Sequence, residues 1–263
     1  MQLNGSSVLL TGATGGIGHA IARRLRGEGA SLLLTGRRTD VLEPLAAEVG
    51  GRATAVDLAQ RDAVDRLLAE AGDVDVLVAN AALPASGDVL DFSVEQIDRA
   101  LEVNLRAPIV LSRVLGERMA ARGRGHIVLI SSLAGKSGQA QSAIYSATKF
   151  GLRGFGQGLR GDLGPRGVGV SVVFPGFIRD AGMFHESGAQ LPKGVGSSTP
   201  DQVAAAVLKA ITADKGELDV APVSLRAGTA FAQLAPEMSA KVAKRLGGDK
   251  VTAQLVSGQA AKR

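Results

Sequence analysis

Short aliphatic runs alternate with longer amphipathic segments along most of this 263-residue chain. The longer segments carry apolar residues at three- and four-residue spacings, which is typical of helices that bury one face. Because strand, helix, strand repeats join parallel strands by right-handed crossovers, the pattern predicts an α/β fold. We expect a single Rossmann-like, doubly wound domain of about seven parallel strands with helices on both faces. The predicted strands are 8–11, 31–35, 54–56, 76–80, 126–131, 168–174 and 218–221, and the predicted helices are 16–27, 40–49, 61–71, 94–122, 143–163 and 200–214.

Two regions depart from this alternation. Residues 177–198 are rich in Gly, Ser and Pro and predict an irregular loop or lid, and residues 223–263 predict a helical extension past the last strand. We therefore expect residues 1–222 to form the main Rossmann-fold domain, including the lid, and residues 223–263 to form a basic C-terminal extension of it. Because the strands and helices already complete the Rossmann-like fold without these two regions, both regions are candidates for determining substrate specificity or assembly.

The formal net charge of +5 is concentrated at one end of the chain. Residues 241–263 hold six basic residues and one acid, so this tail carries the whole excess. A basic tail can contact a membrane surface, RNA or an acidic protein, and it can equally be the solvated face of a helix. We expect no nucleic-acid partner.

The absence of cysteine excludes disulfide bonds and thiolate metal ligands. The three histidines, His19, His126 and His185, share no metal-ligand spacing, so no metal is expected. No apolar run reaches the roughly 18–20 residues of a membrane-spanning helix, and residues 1–7 do not have the pattern of a signal peptide. We therefore expect a soluble, cytoplasmic protein.

A glycine-rich turn stands directly between the first predicted strand and the first predicted helix. It reads Thr11-Gly12-Ala13-Thr14-Gly15-Gly16-Ile17-Gly18. Glycines allow close approach of the backbone, so the N–H groups of the following helix can bind a pyrophosphate. A tight strand-to-helix connection would also account for such a turn, but its place in the chain favours dinucleotide binding. The predicted binding residues of the turn are Gly12, Thr14, Gly15, Gly16, Ile17 and Gly18.

The end of the second predicted strand indicates which dinucleotide is bound. An acid there binds the ribose 2′-hydroxyl of NAD, whereas a cation accommodates the 2′-phosphate of NADP. The chain reads Leu34-Thr35-Gly36-Arg37-Arg38, without a carboxylate. Arg37 offers a planar fork of donors suited to phosphate, and Arg38 either adds charge or faces solvent. We expect NADP(H).

Further motifs occur after the fourth, fifth and sixth strands and on the helix between the last two of these. They are Asn80-Ala81-Ala82, Ser131-Ser132, Pro175-Gly176 and Tyr145-Ser146-Ala147-Thr148-Lys149. With the glycine-rich turn, they make the chain resemble the short-chain dehydrogenase/reductase family over roughly residues 6–222. The resemblance implies a nicotinamide cofactor, a small carbonyl or alcohol substrate, and assembly into homodimers or homotetramers through helices 94–122 and 143–163.

Tyr145 and Lys149 stand four residues apart, so on one helix both side chains emerge on the same face. A free phenol loses its proton at about pH 10, but the Lys149 ammonium and the positive nicotinamide of the oxidised cofactor would each favour the phenolate. Ser132, at the end of the neighbouring strand, can donate to a substrate oxygen as charge develops there. We predict Tyr145 as the catalytic acid and base, assisted by Ser132 and Lys149.

The resemblance assigns roles to several other residues. Asn104 would hold a water that relays protons toward Lys149, or it would simply bend or cap its helix. Asp57 and Leu58 would contact the adenine, although Asp57 could also cap a strand end. The remaining implied cofactor contacts are Asn80, Ala81, Ala82, Tyr145, Lys149, Pro175, Gly176 and Ile178.

One segment departs from the family pattern. Many members place a Thr a few residues beyond the Pro-Gly pair, but this chain reads Phe177-Ile178-Arg179-Asp180-Ala181-Gly182. Ile178 could still contact the nicotinamide carboxamide through its backbone. Arg179 could meet a cofactor phosphate, an anionic substrate or solvent.

Two functions remain open from the sequence. The first is an NADP(H)-dependent oxidoreductase that interconverts a carbonyl and a secondary alcohol on an apolar small molecule, since the lid carries Met183, Phe184 and Leu191. The alternative is a non-catalytic NADP(H)-binding regulatory protein of the same fold. The complete set of Ser, Tyr and Lys favours the enzyme.

Overall fold

Seven parallel strands form one central sheet in this computed structural model, which describes residues 1–192, 194–245 and 248–259. Their order across the sheet is β3-β2-β1-β4-β5-β6-β7. Because the order reverses between β1 and β4, a crevice opens at the carboxyl ends of these two strands. The strands are β1 (Ser7–Thr11), β2 (Ser31–Gly36), β3 (Arg52–Ala55), β4 (Val76–Ala79), β5 (Gly125–Ile130), β6 (Val168–Pro175) and β7 (Glu217–Val220).

Helices connect the strands and continue past the last one. The connecting helices are α1 (Gly16–Gly27), α2 (Thr39–Val49), α3 (Arg61–Ala71), α4 (Val94–Leu101), α5 (Ala107–Ala121), α6 (Ala143–Leu163), α7 (Gly182–Glu186) and α8 (Pro200–Thr212). The described part of the C-terminal extension forms α9 (Val223–Leu234), α10 (Pro236–Arg245) and α11 (Gly248–Gln259).

The two faces of the sheet carry separate hydrophobic clusters. On one face, Val8 and Leu10 of β1 pack with residues of α1, α2 and α8. On the other face, Leu9 packs with residues of α3, α5 and α6. Successive side chains of a strand point to opposite faces, so a strand buried on both sides is aliphatic throughout. The predicted doubly wound α/β fold is confirmed.

One predicted helix is interrupted. The segment 94–122 consists of α4, a π-helical turn over Glu102–Arg106, and α5. Such a turn inserts an extra residue into a helix and is frequent at functional sites. The other predicted elements are present, with ends that differ by at most two residues, and the lid also contains the short helix α7.

The lid and the extension are described only in part. Residue 193 of the lid and residues 246–247 and 260–263 of the basic tail, which include Lys262 and Arg263, lie outside the described residues. The division of the chain at residue 222 stays a prediction. In the described part of the chain, no helix is both long enough and apolar enough to cross a membrane.

His126 is a buried histidine on β5, and we expect it to make stability depend on pH. Its Nε2 lies 2.8 Å from Ser171 Oγ, and burial lowers its pKa to about 4. The unfolded chain takes up this proton near its ordinary pKa of 6.5, so the stabilisation is complete above pH 6.5 and is lost as the pH falls toward 4. The loss should reach about 3 kcal/mol.

Denaturant unfolding at a series of pH values would measure this loss. His126→Gln removes the titrating group, so its free energy of unfolding should fall less than that of the parent between pH 7 and pH 4. Parallel pH profiles for the two proteins would contradict the prediction.

Candidate active site

Two adjoining cavities lie at the carboxyl edge of the sheet and share part of their wall. The first has a volume of ≈ 530 Å³ and the second of ≈ 230 Å³. The first is lined by the predicted cofactor residues Gly12, Thr14, Gly15, Gly16, Ile17, Gly18, Arg37, Arg38, Asp57, Leu58, Asn80, Ala81 and Ala82. The second is lined by Ser132, Tyr145, Lys149, Pro175, Gly176 and Ile178. The structure thus brings together every predicted site residue except Asn104, which lines neither cavity.

The glycine-rich turn requires glycine at two positions, because a Cβ at either one would collide with neighbouring backbone atoms. Gly12 has a φ of 65°, and a Cβ there would lie 2.6 Å from Ala81 Cα. A Cβ at Gly18 would lie 2.4 Å from the carbonyl oxygen of Gly12. The Asn80 amide donates to this same oxygen at 3.0 Å and fixes the turn against β4. The N-terminus of α1 therefore faces the first cavity with exposed backbone, which fits a dinucleotide pyrophosphate.

The end of β2 presents two exposed cations to the first cavity. Arg38 Nη2 donates to the carbonyl oxygen of Thr14, so this guanidinium is already held against the turn. Arg37 forms no hydrogen bond or ion pair with the described residues, and its donors are available to a phosphate. At the far side of the cavity, Asp57 accepts from Ala59 N at 3.1 Å and thereby caps the chain after β3.

Arg99 lines the cavity beside Asp57, and sequence reasoning missed it. The two side chains approach to 3.8 Å between Arg99 Nη2 and Asp57 Oδ2. Arg99 Nε is buried and has no hydrogen-bond partner among the described residues. Arg99 reaches the cavity because of the way α4 packs in the fold. No sequence motif marks a packing contact of this kind.

Ser132, Tyr145 and Lys149 meet in the second cavity. Tyr145 and Lys149 share one face of α6, and Lys149 Nζ lies 5.6 Å from the centroid of the tyrosine ring. Lys149 is only 2% exposed, and its ammonium donates to the carbonyl oxygen of Ile130 at 3.0 Å. Ser132 accepts from Ala134 N at 3.2 Å, which holds the hydroxyl at the end of β5.

Burial has opposite effects on the pKa values of the two titratable groups. It raises the pKa of Tyr145 to about 12, and a hydrogen bond with Ser132 lowers that pKa by a smaller amount. It lowers the pKa of Lys149 to about 8. The expected effect of Lys149, to favour the phenolate, is therefore outweighed by burial. At neutral pH the phenol carries its proton, and Lys149 is mostly protonated.

Asn104 lies in the π-helical turn and is fully buried. Its Oδ1 accepts from Leu83 N at 2.6 Å, and its Nδ2 donates to Leu83 O at 2.9 Å. The side chain therefore fastens the bend in the helix to the segment after β4. This agrees with the structural alternative given above, and the proton relay stays a prediction.

The segment after β6 forms the roof of the second cavity. Ile178 is buried and forms a parallel bridge with Ser198, which closes the lid at its base. Phe184 lines the cavity and packs against Phe177, with ring centroids 5.0 Å apart and the ring planes tilted by 53°. Arg179 lines neither cavity. It donates to Ser197 O at 3.2 Å and so holds the two ends of the lid together.

Two other lid residues lie away from the cavities. His185 is exposed, and neither His185 nor Leu191 lines a cavity, whereas Met183 lines both. The apolar lid predicted from the sequence therefore consists of Met183 and Phe184 without Leu191. No group of His, Cys, Asp or Glu within the described residues could hold a metal ion.

Comparisons with known proteins identify the family of this chain. A family model described as short chain dehydrogenase matches residues 6–192. The chain belongs to the short-chain dehydrogenase/reductase family. This short-chain dehydrogenase/reductase is 39% identical over 218 residues to the ketoacyl reductase HetN of Nostoc sp. (strain PCC 7120 / SAG 25.82 / UTEX 2576), a match that covers 80% of this chain and 76% of the relative.

Two solved structures are similar to this short-chain dehydrogenase/reductase. A short-chain dehydrogenase from Sphingobium yanoikuyae in complex with NADPH is 28% identical, with a TM-score of 0.75 and coverage of 89% of this chain and 95% of that chain. The closed form of a serine dehydrogenase complexed with NADP+ is 30% identical, with a TM-score of 0.75 and coverage of 83% and 95%.

The C-terminal extension of this short-chain dehydrogenase/reductase contributes to the second cavity, which the sequence did not reveal. Leu225 and Thr229 of α9 and Leu255 and Gln259 of α11 line that cavity. These residues belong to no motif, and those of α11 reach the site because that helix packs against α7 of the lid. An influence of the extension on substrate specificity stays a prediction.

Proposed function

We propose that this protein is an NADP(H)-dependent oxidoreductase that interconverts a carbonyl group and a secondary alcohol on an apolar small molecule. The observation that carries the proposal is the meeting of Ser132, Tyr145 and Lys149 in a cavity beside a glycine-lined cleft. An apolar wall and a small set of converging polar groups are typical of a substrate site.

The first cavity supports NADP(H) as the cofactor. Gly12, Gly16 and Gly18 would lie along its pyrophosphate, Arg37 would bind the 2′-phosphate, and Asp57 and Leu58 would flank the adenine. Two similar structures hold NADPH or NADP+, which favours the same choice here. When bound, NADPH supplies the hydride that reduces the carbonyl carbon.

Tyr145 supplies the proton for the carbonyl oxygen. Because burial raises its pKa to about 12, the phenol is protonated at neutral pH and serves as an acid in the direction of reduction. Ser132 donates a hydrogen bond to the same oxygen and stabilises the negative charge that develops there. In the reverse direction, Tyr145 accepts the proton of the alcohol.

Lys149 and Asn104 support proton transfer by the phenol of Tyr145 without contacting the substrate. The Lys149 ammonium lies 5.6 Å from the centroid of the tyrosine ring and stabilises the phenolate left after proton transfer. Asn104 fixes the π-helical turn, and the proposal includes a water at Asn104 that relays protons toward Lys149. The two hydrogen bonds to Leu83 use Oδ1 and one N–H of the amide, which leaves the second N–H as a donor to that water.

The second cavity favours an apolar substrate. Its wall includes Leu133, Met183, Phe184, Leu225 and Leu255. A relative of the chain is named as a ketoacyl reductase, so 3-oxoacyl thioesters are the first substrates to test.

The experiment that tests the function follows NADPH oxidation with acetoacetyl-coenzyme A and with a panel of apolar ketones, aldehydes and quinones. NADPH binding is measured separately by fluorescence titration. Turnover of any carbonyl compound supports the oxidoreductase. Binding without turnover across the whole panel would favour the non-catalytic regulatory protein. A protein that bound neither NADPH nor NADH would overturn both functions.

Arg37→Ala should reduce the preference for NADPH over NADH. The free guanidinium of Arg37 is the donor best placed for a 2′-phosphate, so the Kd for NADPH should rise by about tenfold or more while the Kd for NADH changes little. Arg38→Ala is the matched control, because Arg38 is already bound to the Thr14 carbonyl and should matter less. Equal Kd values for NADPH in Arg37→Ala and the parent would contradict this assignment.

Assembly into a homodimer or homotetramer through α4, α5 and α6 is also proposed. Val94 is 67% exposed, Leu101 37% and Phe150 41%, so α4 and α6 present apolar side chains that a second copy would cover. The cytoplasmic location and the role of the basic tail stay predictions.

A further inference from the structure

The helix α11 is fastened to the lid by close backbone contact and hydrogen bonds. A Cβ at Gly258 would lie 2.1 Å from the carbonyl oxygen of Ser187, so only glycine allows this approach. Gln254 Oε1 accepts from Gln190 N at 2.9 Å. Val251 is buried on the same helix. The end of α11 therefore has a defined position beside α7.

This position brings Gln259 to the wall that the two cavities share. The side chain is 5% exposed and lines both cavities, together with Ile17, Asn80, Ala82 and Met183. Its Nε2 donates to the carbonyl oxygen of Met183 at 3.3 Å. A carbonyl oxygen can only accept, so this bond fixes which end of the amide faces the lid.

The other end of the amide has no partner. Gln259 Oε1 is buried and forms no hydrogen bond with the described residues. Buried amide oxygens are nearly always paired, and an unpaired one calls for a specific explanation. A ligand donor at the junction of the two cavities would provide the missing partner.

We propose that Gln259 is a ligand-orienting residue whose Oε1 accepts a hydrogen bond from an N–H or O–H donor of the molecule bound where the two cavities meet. The inference rests on the proposed function, because both possible donors belong to it. One is the carboxamide of the nicotinamide, and the other is a hydroxyl or amide group of the substrate. Gln259 would then select ligands that present such a donor.

Gln259→Met tests the proposal, because it keeps the length of the side chain and removes the amide. Gln254→Met is the matched control, since it makes the same change on the same helix, removes a lid contact and lies outside both cavities. Gln259→Glu keeps an acceptor oxygen while losing the bond to Met183. The readouts are the Kd for NADPH by fluorescence titration, the KM for acetoacetyl-coenzyme A or the best carbonyl compound of the panel, and the midpoint of thermal unfolding.

Gln259→Met should weaken one ligand by about tenfold, Gln254→Met should change both ligands by less than about twofold, and Gln259→Glu should bind better than Gln259→Met. A higher Kd for NADPH would identify the cofactor amide as the donor, whereas a higher KM at an unchanged Kd would identify the substrate. Parental Kd and KM in Gln259→Met would overturn the inference while leaving the function intact. Equal losses in both Met variants would also overturn it, because the contact with the lid would then explain them. A parent that binds no nicotinamide nucleotide would overturn the function and this inference together.

Discussion

Tyr145→Phe should lower kcat by about 10³-fold while leaving the Kd for NADPH within about twofold of the parent value. The substitution removes one oxygen and keeps the ring, which packs with Ala85 and Ala100. No other phenol can replace it, because Tyr145 is the only tyrosine in the chain. Stopped turnover with intact cofactor binding would be read directly from NADPH oxidation and fluorescence titration.

Ser146→Ala is the matched control for this prediction. It also removes a single oxygen, one residue further along α6, and its buried Oγ has no hydrogen-bond partner among the described residues. Its activity should stay close to that of the parent, and its stability should not fall. If Tyr145→Phe kept more than about a tenth of the parent activity, Tyr145 would not be the proton donor, because general acid catalysis contributes at least about 10²-fold.

The fold was predictable because its central strands, such as β4 and β5, are buried on both faces. β1 carries aliphatic side chains to both clusters, and this leaves a continuous apolar run that is visible without any knowledge of the neighbours. The π-helical turn at Asn104 was not predictable. It depends on a pair of hydrogen bonds between Asn104 and Leu83, which lies 21 residues earlier in the chain. The local spacing of apolar residues does not indicate such a long-range contact.

The candidate site likewise has one part that short-range sequence patterns predict and another that only tertiary packing determines. The glycine-rich turn and the pair formed by Tyr145 and Lys149 are short-range patterns, since the turn is contiguous and the pair is one helical turn apart. Arg99 and Gln259 depend on how α4 and α11 pack against distant segments. Gln259 also lies in a basic tail, and the net charge of such a tail indicates polyanions or membrane surfaces as partners and gives no sign of a contact with the cavity.

Gly12→Ala should lower the stability of the protein and its affinity for NADPH together. The alanine would adopt a φ of 65°, which costs roughly 1–3 kcal/mol for a residue with a Cβ, and its methyl group would lie 2.6 Å from Ala81 Cα. The turn must shift to relieve this contact. Since the turn positions the N–H groups of α1, we expect the Kd for NADPH to rise by about 100-fold.

Gly15→Ala separates the strain of a Cβ at Gly12 from a general sensitivity of the turn to replacement of glycine by alanine. A Cβ at Gly15 would lie 3.7 Å from its nearest neighbour, the carbonyl oxygen of Gly12, and the φ of −85° suits any residue. Gly15→Ala should therefore keep the parent stability within about 0.5 kcal/mol. It serves as the control for stability alone, because Gly15 lines the cleft and its methyl group would face the bound cofactor. Denaturant unfolding of both variants and fluorescence titration of Gly12→Ala measure the two effects. If Gly12→Ala kept both the stability and the Kd for NADPH of the parent, close backbone approach at Gly12 would not be what shapes the cleft, and the first cavity would lose its main support as the dinucleotide site.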